Sequence, residues 1–219
     1  MSKNISKKLA LAALECGALS LNTKSPFRWA SGYFMPVYND NRLLLGSPDN
    51  RKLVSEGLAE LCEGMKPNLI SGCATAGIAP ALGLADLLSL PFGYVRSKAK
   101  EHGRKQLIEG TAAVGKKVIV VEDLISTGGS SLKVVEILRE AKAEVLTCIS
   151  IFSYGFSKAS DAFQQANCPT ASILSLNQLL EAAHEIGAVG QEEIESIKLW
   201  QQKPFEWGEI NGFTAEVNN

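Results

Sequence analysis

The sequence predicts an α/β fold, a central and mostly parallel sheet flanked by helices, with smaller additions at the two ends of the chain. Three observations carry this expectation. Apolar runs, several rich in β-branched residues, recur near 69–71, 92–95, 117–121, 145–152 and 172–176. They lack the alternation of a half-solvated strand, so they suit strands buried on both faces. Segments with apolar residues at helical spacing stand between them, and strand–helix alternation of this kind builds a parallel sheet covered on both sides. A length of 219 residues allows one large domain.

In chain order, residues 5–19 carry Ile5, Leu9, Leu11, Ala12, Leu14 and Leu19 on one side and predict an amphipathic helix. Residues 25–32 predict an extended or irregular segment, followed by Pro36 and the turn formers Asn39, Asp40 and Asn41. A second helix is expected over 49–63, with Leu53, Val54, Leu58, Leu61 and Cys62 apolar. The run 69–71 ends at Gly72, and a helix is expected over 78–88. After the strand at 92–95 comes a polar stretch, then the β-branched run 117–121, which predicts a buried central strand. A helix over 132–143 places Leu132, Val135, Leu138 and Ala141 along one side. Strands follow at 145–152 and 172–176, and beyond Asn177 come two helical segments and a tail with Trp200, Pro204 and Trp207. No internal repeat or low-complexity tract interrupts the chain.

Composition narrows the function classes. Lys and Arg number 22 against 23 acidic residues, so the basic excess of a nucleic-acid surface is missing and any anion site must be local. Cys16, Cys62, Cys73, Cys148 and Cys168 are scattered without ligand or disulfide spacing and predict reduced, buried thiols. The polar N-terminus has no signal-peptide core, and no apolar run approaches the ~20 residues that cross a bilayer. A cytoplasmic chain without membrane or nucleic-acid partners is the expectation.

The strongest chemical signal is the stretch Val118-Ile119-Val120-Val121-Glu122-Asp123-Leu124-Ile125-Ser126-Thr127-Gly128-Gly129-Ser130-Ser131. A buried strand ends in two adjacent carboxylates, followed by a hydroxyl- and glycine-rich turn and a helix. Ligands of open α/β sheets sit at this edge of the strands. Glycines let backbone N–H groups approach a phosphate, and the helix N-terminus adds its dipole. Ser126, Thr127, Ser130 and Ser131 offer further donors, while carboxylates suit ribose hydroxyls. An ordinary strand–turn–helix with Ser130 or Ser131 as cap would have no use for two acids at a buried strand end. The whole stretch resembles the phosphoribosyl pyrophosphate signature of type I phosphoribosyltransferases: four apolar residues, two acids, two apolar residues and a hydroxyl- and glycine-rich turn.

A second signal is Arg96-Ser97-Lys98-Ala99-Lys100-Glu101-His102-Gly103-Arg104-Lys105, with five basic residues and one Glu in a chain of net charge −1. A solvated charged loop would share this composition, but a cationic loop with one His also suits a diphosphate leaving group, whose developing charge needs donors. The order Arg-x-x-x-Lys-x-His-Gly resembles the catalytic loop of orotate phosphoribosyltransferases. Phe27–Gly32 and Pro36–Arg42 are similar to that family's N-terminal hood, and Ser71–Ile78 to its loop beneath the pyrophosphate.

The resemblance covers about residues 5–210 and implies the type I phosphoribosyltransferase fold as a single domain. Its core would lie near 48–176, with a small hood built from 1–47 and 177–219. It implies transfer of a phosphoribosyl group from phosphoribosyl pyrophosphate to orotate in pyrimidine biosynthesis, with Mg2+ carried mainly by the substrate rather than by protein ligands. It further implies Asp123, Lys100 and His102 as catalytic residues. Substrate contacts would come from Arg96, Lys98, Lys100, His102 and the run Glu122, Asp123, Leu124, Ile125, Ser126, Thr127, Gly128, Gly129 and Ser130. Its members are homodimers with shared active sites.

The sequence departs from the family pattern at Ala30, Phe34, Ala76 and Ser97, where many members have lysine. Those departures keep a non-catalytic nucleotide-binding regulator of the same fold as one alternative; a purine-base transferase of the same fold is the other, and the hood segment and the Arg-x-x-x-Lys-x-His loop argue against it. Gly110-Thr111-Ala112-Ala113-Val114-Gly115-Lys116-Lys117 nearly matches a P-loop, but Lys117 replaces the Ser or Thr and the segment precedes a strand rather than following one. It predicts a plain loop. His184 is expected on a helix surface.

Overall fold

The structure is a computed structural model that describes residues 3–29, 31–96 and 107–214. The first helix is α1 (Lys3–Glu15), which ends four residues earlier than its apolar spacing predicts. Gly17 takes a φ of +76°, a conformation that ends a helix, and Leu19 is then drawn into β1 (Leu19–Leu21). The hairpin of β2 (Phe27–Arg28) and β3 (Phe34–Met35) follows, and β4 (Val37–Asn39) pairs antiparallel with β1. A 3-10 turn, Asn41–Gly46, leads to α2 (Pro48–Leu61). Ser47 caps α2 by accepting from the Asn50 N–H, and Pro48 stands at its first position, where no N–H is needed.

The core then runs through β5 (Leu69–Cys73), α3 (Ile78–Leu88), β6 (Phe92–Val95), β7 (Ile108–Gly110), β8 (Lys117–Ile125), α4 (Gly129–Glu140) and β9 (Glu144–Ser153). It closes with α5 (Ser157–Gln165) and β10 (Thr170–Ser175). These strands form one six-stranded sheet in the order β10-β9-β8-β5-β6-β7. All pairings are parallel except β6 with β7. The predicted mostly parallel sheet is therefore present.

Alternate residues of β8 serve opposite faces, yet Val118, Ile119, Val120 and Val121 are all fully buried. Ile119 and Val121 join the core beneath α1, α2 and α3, with Leu58, Ala81 and Leu84. Val118 and Val120 join the core beneath α4 and α5, with Val135, Leu138 and Phe163. Burying an aliphatic side chain of this size contributes about 1.5–3 kcal/mol, so a strand buried on both faces anchors both layers.

Besides α1, other elements differ from expectation. β7 lies in a stretch expected to be loop, α5 is unpredicted, β8 continues to Ile125, α4 begins at Gly129 rather than near 132, and the C-terminal segment holds three helices rather than two. In the near P-loop, expected to be a plain loop, Gly110 closes β7 and Gly115 makes a turn ahead of β8.

The C-terminal segment, α6 (Leu176–Glu185), α7 (Gln191–Gln202) and α8 (Trp207–Ile210), returns to the N-terminal hairpins. The side chain of Ser175 and that of Gln178 cap α6 reciprocally. Fully buried Trp200 makes edge contacts with Trp29, Tyr154 and Phe156 and donates its indole N–H to Met35 Sδ at 2.9 Å. Tyr154 stands just past β9, so this aromatic cluster seats both chain ends over the C-terminal edge of the sheet. His184 is exposed, as expected. Cys62, Cys73, Cys148 and Cys168 are buried free thiols, whereas Cys16 is only half-buried. No helix among the described residues is long and apolar enough to cross a membrane.

Candidate active site

From β5 the chain steps outward through α3 to β6, and from β8 it steps the other way through β9 to β10. The boundary between β5 and β8 is thus the topological switch point, where loops diverge and leave a crevice at the carboxyl ends of the strands. A cleft of about 390 Å³ lies there, lined by Asn39, Asp40 and Arg42, by Ala74–Ala76 after β5, and by Glu122, Asp123, Leu124, Ser126 and Ser130. Two clefts of about 540 and 510 Å³, beside α1 and between α6 and α7, are larger. Neither brings together acids with a glycine turn, so the smaller cleft is the one with chemistry.

Glycine builds two of its walls. A Cβ on Gly77 would stand 2.6 Å from the Val121 carbonyl oxygen, so only glycine lets the loop after β5 lie against β8. Gly128 has a φ of +82°, and a Cβ there would meet the Phe163 ring at 3.0 Å. This left-handed residue is the cap of α4, and no side chain caps the helix. Its first N–H groups are left for a ligand, in the geometry that binds phosphate.

Ser130 and Ser131 are occupied elsewhere. Ser131, fully buried, donates to Glu122 Oε2 at 3.3 Å, and Ser130 approaches the same oxygen at 3.5 Å. The reading of Ser131 as a phosphate donor is thereby corrected, since its hydroxyl points down at the acid. The Asp123 N–H donates to Glu122 Oε1 at 3.1 Å. Glu122 is itself buried, and burial first, then the neighbouring Asp123, pushes its carboxyl up from the usual 4.5 to about 8. Burial likewise raises the thiol of Cys73, with Glu122 adding to it. Asp123 is partly exposed and lines the cleft. The two acids therefore differ in kind: one is braced in the floor, the other faces the ligand space.

A consequence concerns stability. A carboxyl raised to about 8 holds a proton in the folded chain that the unfolded chain gives up near 4.5. The stability from that proton is complete below about 4.5 and is lost as the pH climbs through 8. Glu122→Gln, which is neutral throughout, should gain stability relative to the parent by a few kcal/mol between pH 5 and pH 8.5, read by denaturant unfolding at both. A difference between the two proteins that does not change with pH would refute the shifted carboxyl.

Of the remaining sequence-predicted residues, Ile125 is buried, so only its backbone can meet a ligand. Its carbonyl accepts from the Tyr154 N–H and from Ser153 Oγ, both at 3.3 Å, which ties the turn to the end of β9. Thr127, Gly128 and Gly129 form the turn itself. Arg96 stands apart from the cleft lining, at the foot of the β6–β7 hairpin. Its guanidinium lies 3.7 Å from Glu109, and its N–H donates to the Leu107 carbonyl. Lys98, Lys100 and His102 lie outside the described residues, as do Ala30 and Ser97.

Residues 48–173 match the phosphoribosyl transferase domain family. The chain is 44% identical over 207 residues to the orotate phosphoribosyltransferase of Listeria monocytogenes serotype 4b, a match covering 94% of this chain and 99% of that protein. The chain belongs to the orotate phosphoribosyltransferase family. The Staphylococcus saprophyticus member is 45% identical over 199 residues, covering 90% of this chain and 98% of that protein. Among solved structures, the orotate phosphoribosyltransferase of Aeropyrum pernix superposes with a TM-score of 0.71 at 30% identity, over 83% of this chain and 99% of that one. Leishmania donovani UMP synthase shares the fold, with a TM-score of 0.78 at 24% identity over 91% of this chain and 42% of that one.

Within the orotate phosphoribosyltransferase family, Phe34 has a structural explanation here. Its ring packs tilted against Phe213 with centroids 5.8 Å apart, and its backbone lies against Gly208, so it pins the C-terminal segment to the N-terminal hairpin. Ala76 lines the cleft. Magnesium can be tested against the donor set. Among the described residues no three His, Cys, Asp or Glu side chains gather as metal ligands, and only one of the paired acids is open to the cleft. That set fits an ion held chiefly by ligand oxygens, the habit of Mg2+.

Sequence reasoning did not single out Asn41 and Arg42 beyond the hood block, nor the hydrogen bond from Ser131 to Glu122. Arg42 is clamped by Asp40 through Nε to Oδ1 at 2.6 Å and Nη2 to Oδ2 at 2.9 Å, and that contact holds the Asp40 carboxyl below the usual range. Both residues line the cleft. The spacing Asp40-x-Arg42 was a visible signal for the pair.

Proposed function

We propose that the chain joins orotate to the ribose of phosphoribosyl pyrophosphate, giving orotidine 5′-monophosphate and pyrophosphate, within the biosynthesis of UMP. The observation that carries this reading is the placement of Glu122, Asp123 and an uncapped glycine turn at the switch point of a family-typical sheet. The C1–O bond to pyrophosphate breaks, the electron pair leaving with the oxygen, and a C1–N bond to the base forms through an oxocarbenium-like state as the base nitrogen gives up its proton to the departing pyrophosphate. Asp123 would accept from the ribose hydroxyls and support the positive charge as it develops. The turn Thr127–Gly129 and the first N–H groups of α4 would hold the 5′-phosphate. Asp123, the partly exposed acid of the pair, is the residue that could help hold Mg2+, which would supply positive charge to the diphosphate. Arg96, Lys98, Lys100 and His102 would donate to the departing pyrophosphate.

We further infer a single domain, with its catalytic core near 48–176 and a hood from 1–47 and 177–219 that covers the base. Two chains would pair in a homodimer with shared sites in the cytoplasm, the cationic loop of each serving its neighbour. The direct test is loss of orotate absorbance with Mg2+, with and without phosphoribosyl pyrophosphate, using adenine as the competing base. Orotate consumption only when both substrates are present is expected. Turnover of adenine alone, or of neither base, would remove the reading.

Ser126 follows the paired acids and faces the cleft, where the family likeness puts the base. Ser126→Ala should raise KM for orotate about tenfold or more, because one lost hydrogen bond to a polar ligand costs of order 1–3 kcal/mol. KM for phosphoribosyl pyrophosphate should change far less. The opposite ranking would move Ser126 to the phosphate side.

A further inference from the structure

Asn41 sits at the joint between hood and core, at the start of the 3-10 turn that follows β4, and its polar side chain is almost entirely buried. Both ends of its amide are used. Nδ2 donates to the backbone carbonyl of Asp123 at 2.7 Å, and Oδ1 accepts from Asn39 Nδ2 at 3.0 Å. Because a backbone carbonyl can only accept, the atom facing Asp123 must be the NH2 group. The contact joins residues 82 positions apart in the chain.

Its place on β8 matters. The pairing of β8 with β5 ends at Val121, while its pairing with β9 continues to Ile125. From Glu122 onward one side of β8 has no paired strand, and this is the stretch that carries the acids. Asn41 supplies a donor to Asp123 there, in a buried setting where a well-aligned hydrogen bond is shielded from water. Asn39 and the clamped Asp40–Arg42 pair flank it on the cleft wall.

We propose that Asn41 is a positioning residue. By holding the Asp123 carbonyl it fixes the backbone from which the Asp123 carboxylate reaches the ribose, and it makes that geometry depend on the seating of the hood. The inference rests on the reaction proposed above, since Asn41 itself need not touch substrate. Misplacing a reacting group by about 1 Å can cost up to about 100-fold in rate, so a tether of this kind acts on turnover more than on binding.

The test uses the full chain and three variants, Asn41→Ala, Asn41→Asp and Asn39→Ala, each assayed where circular dichroism shows it folded. Asn41→Ala should lower kcat about ten- to hundredfold with KM for phosphoribosyl pyrophosphate within about threefold of the parent. Asn41→Asp, equal in size but presenting oxygen to oxygen, should be worse than Ala. Asn39→Ala removes only the prop and should cost less. Hydrogen exchange, which needs no activity, should quicken over residues 122–128 in both Asn41 variants. If the Asn41 variants do not fold, Asn39→Ala decides by the same two readouts. Parental kcat and parental exchange in folded variants overturn the inference and leave the proposed reaction standing. A parent that consumes no orotate sinks the reaction instead, and exchange over 122–128 still decides whether Asn41 holds the strand.

Discussion

Asp123→Asn is expected to lower kcat by about 10²–10³-fold, the range seen when a fixed electrostatic contact to a transition state is removed. Thermal unfolding should move by only a few degrees. The asymmetry follows from how the fold uses this residue. Its N–H is spent on Glu122 and its carbonyl on Asn41, both through the backbone, which Asn supplies equally well. The side chain faces the cleft, so what the substitution removes is charge aimed at the ligand space. A further sign can be checked in the same protein. Asp123 is one of the causes that raise the Glu122 carboxyl, after burial, so its neutralisation should let Glu122 ionise at lower pH. The pH at which the parent loses stability should shift downward in the variant. Turnover within twofold of the parent would show that Asp123 has no part in the chemistry, whatever its place in the cleft.

Much of this was legible in the residues because it depends on local pattern. The run 118–121 is apolar on both faces, and it became the strand buried on both faces. The acids and glycines after it declare a turn that must meet something charged, and the acids, with Ser126 and Ser130, line the cleft at the switch point. What stayed hidden depends on contacts distant in sequence. β7 is three residues long and exists because Gly110 and Ile108 pair with Gly93 and Val95 across the hairpin, which no run of apolar residues announces. α5 has two buried anchors, Ala159 and Phe163, too few to show a helical period in a polar segment. The end of α1 was overrun because Leu19 continues the helical spacing but is claimed by pairing with Asn39. Ser131 read as a donor to phosphate because the sequence shows its position in the turn and not the direction of its hydroxyl. Asn41 looked like a turn former, and only the fold brings it to Asp123.

The terminal elements and the turn after β8 are tied together by specific contacts. Asn41 holds Asp123 from one side, while Tyr154 and Ser153 hold the Ile125 carbonyl from the other. Tyr154 is in turn packed against Trp29 and Trp200, one from each end of the chain. The N- and C-terminal elements are thus tied to the backbone on both sides of Leu124, next to the acids themselves.

The second large effect concerns two chains rather than one. Lys100→Ala and Asp123→Asn proteins, each inactive alone, should regain activity when mixed and allowed to exchange subunits. The cationic segment leaves the sheet as the connection of the β6–β7 hairpin, whose ends are joined by the bond from the Arg96 N–H to the Leu107 carbonyl. With both ends fixed at one place, its ten residues 97–106 can extend at most about 17 Å outward, half their contour at ~3.4 Å per residue. In a mixed dimer with shared sites, one site carries both lesions and the other carries neither. Random exchange makes half of all dimers mixed, so about a quarter of all sites should be intact. Activity near a quarter of the parent's is the expected plateau, reached as exchange proceeds and absent when the subunits are first cross-linked. If labelled subunits demonstrably exchange and activity stays at the level of the separate variants, the loop serves its own chain and the shared site is lost.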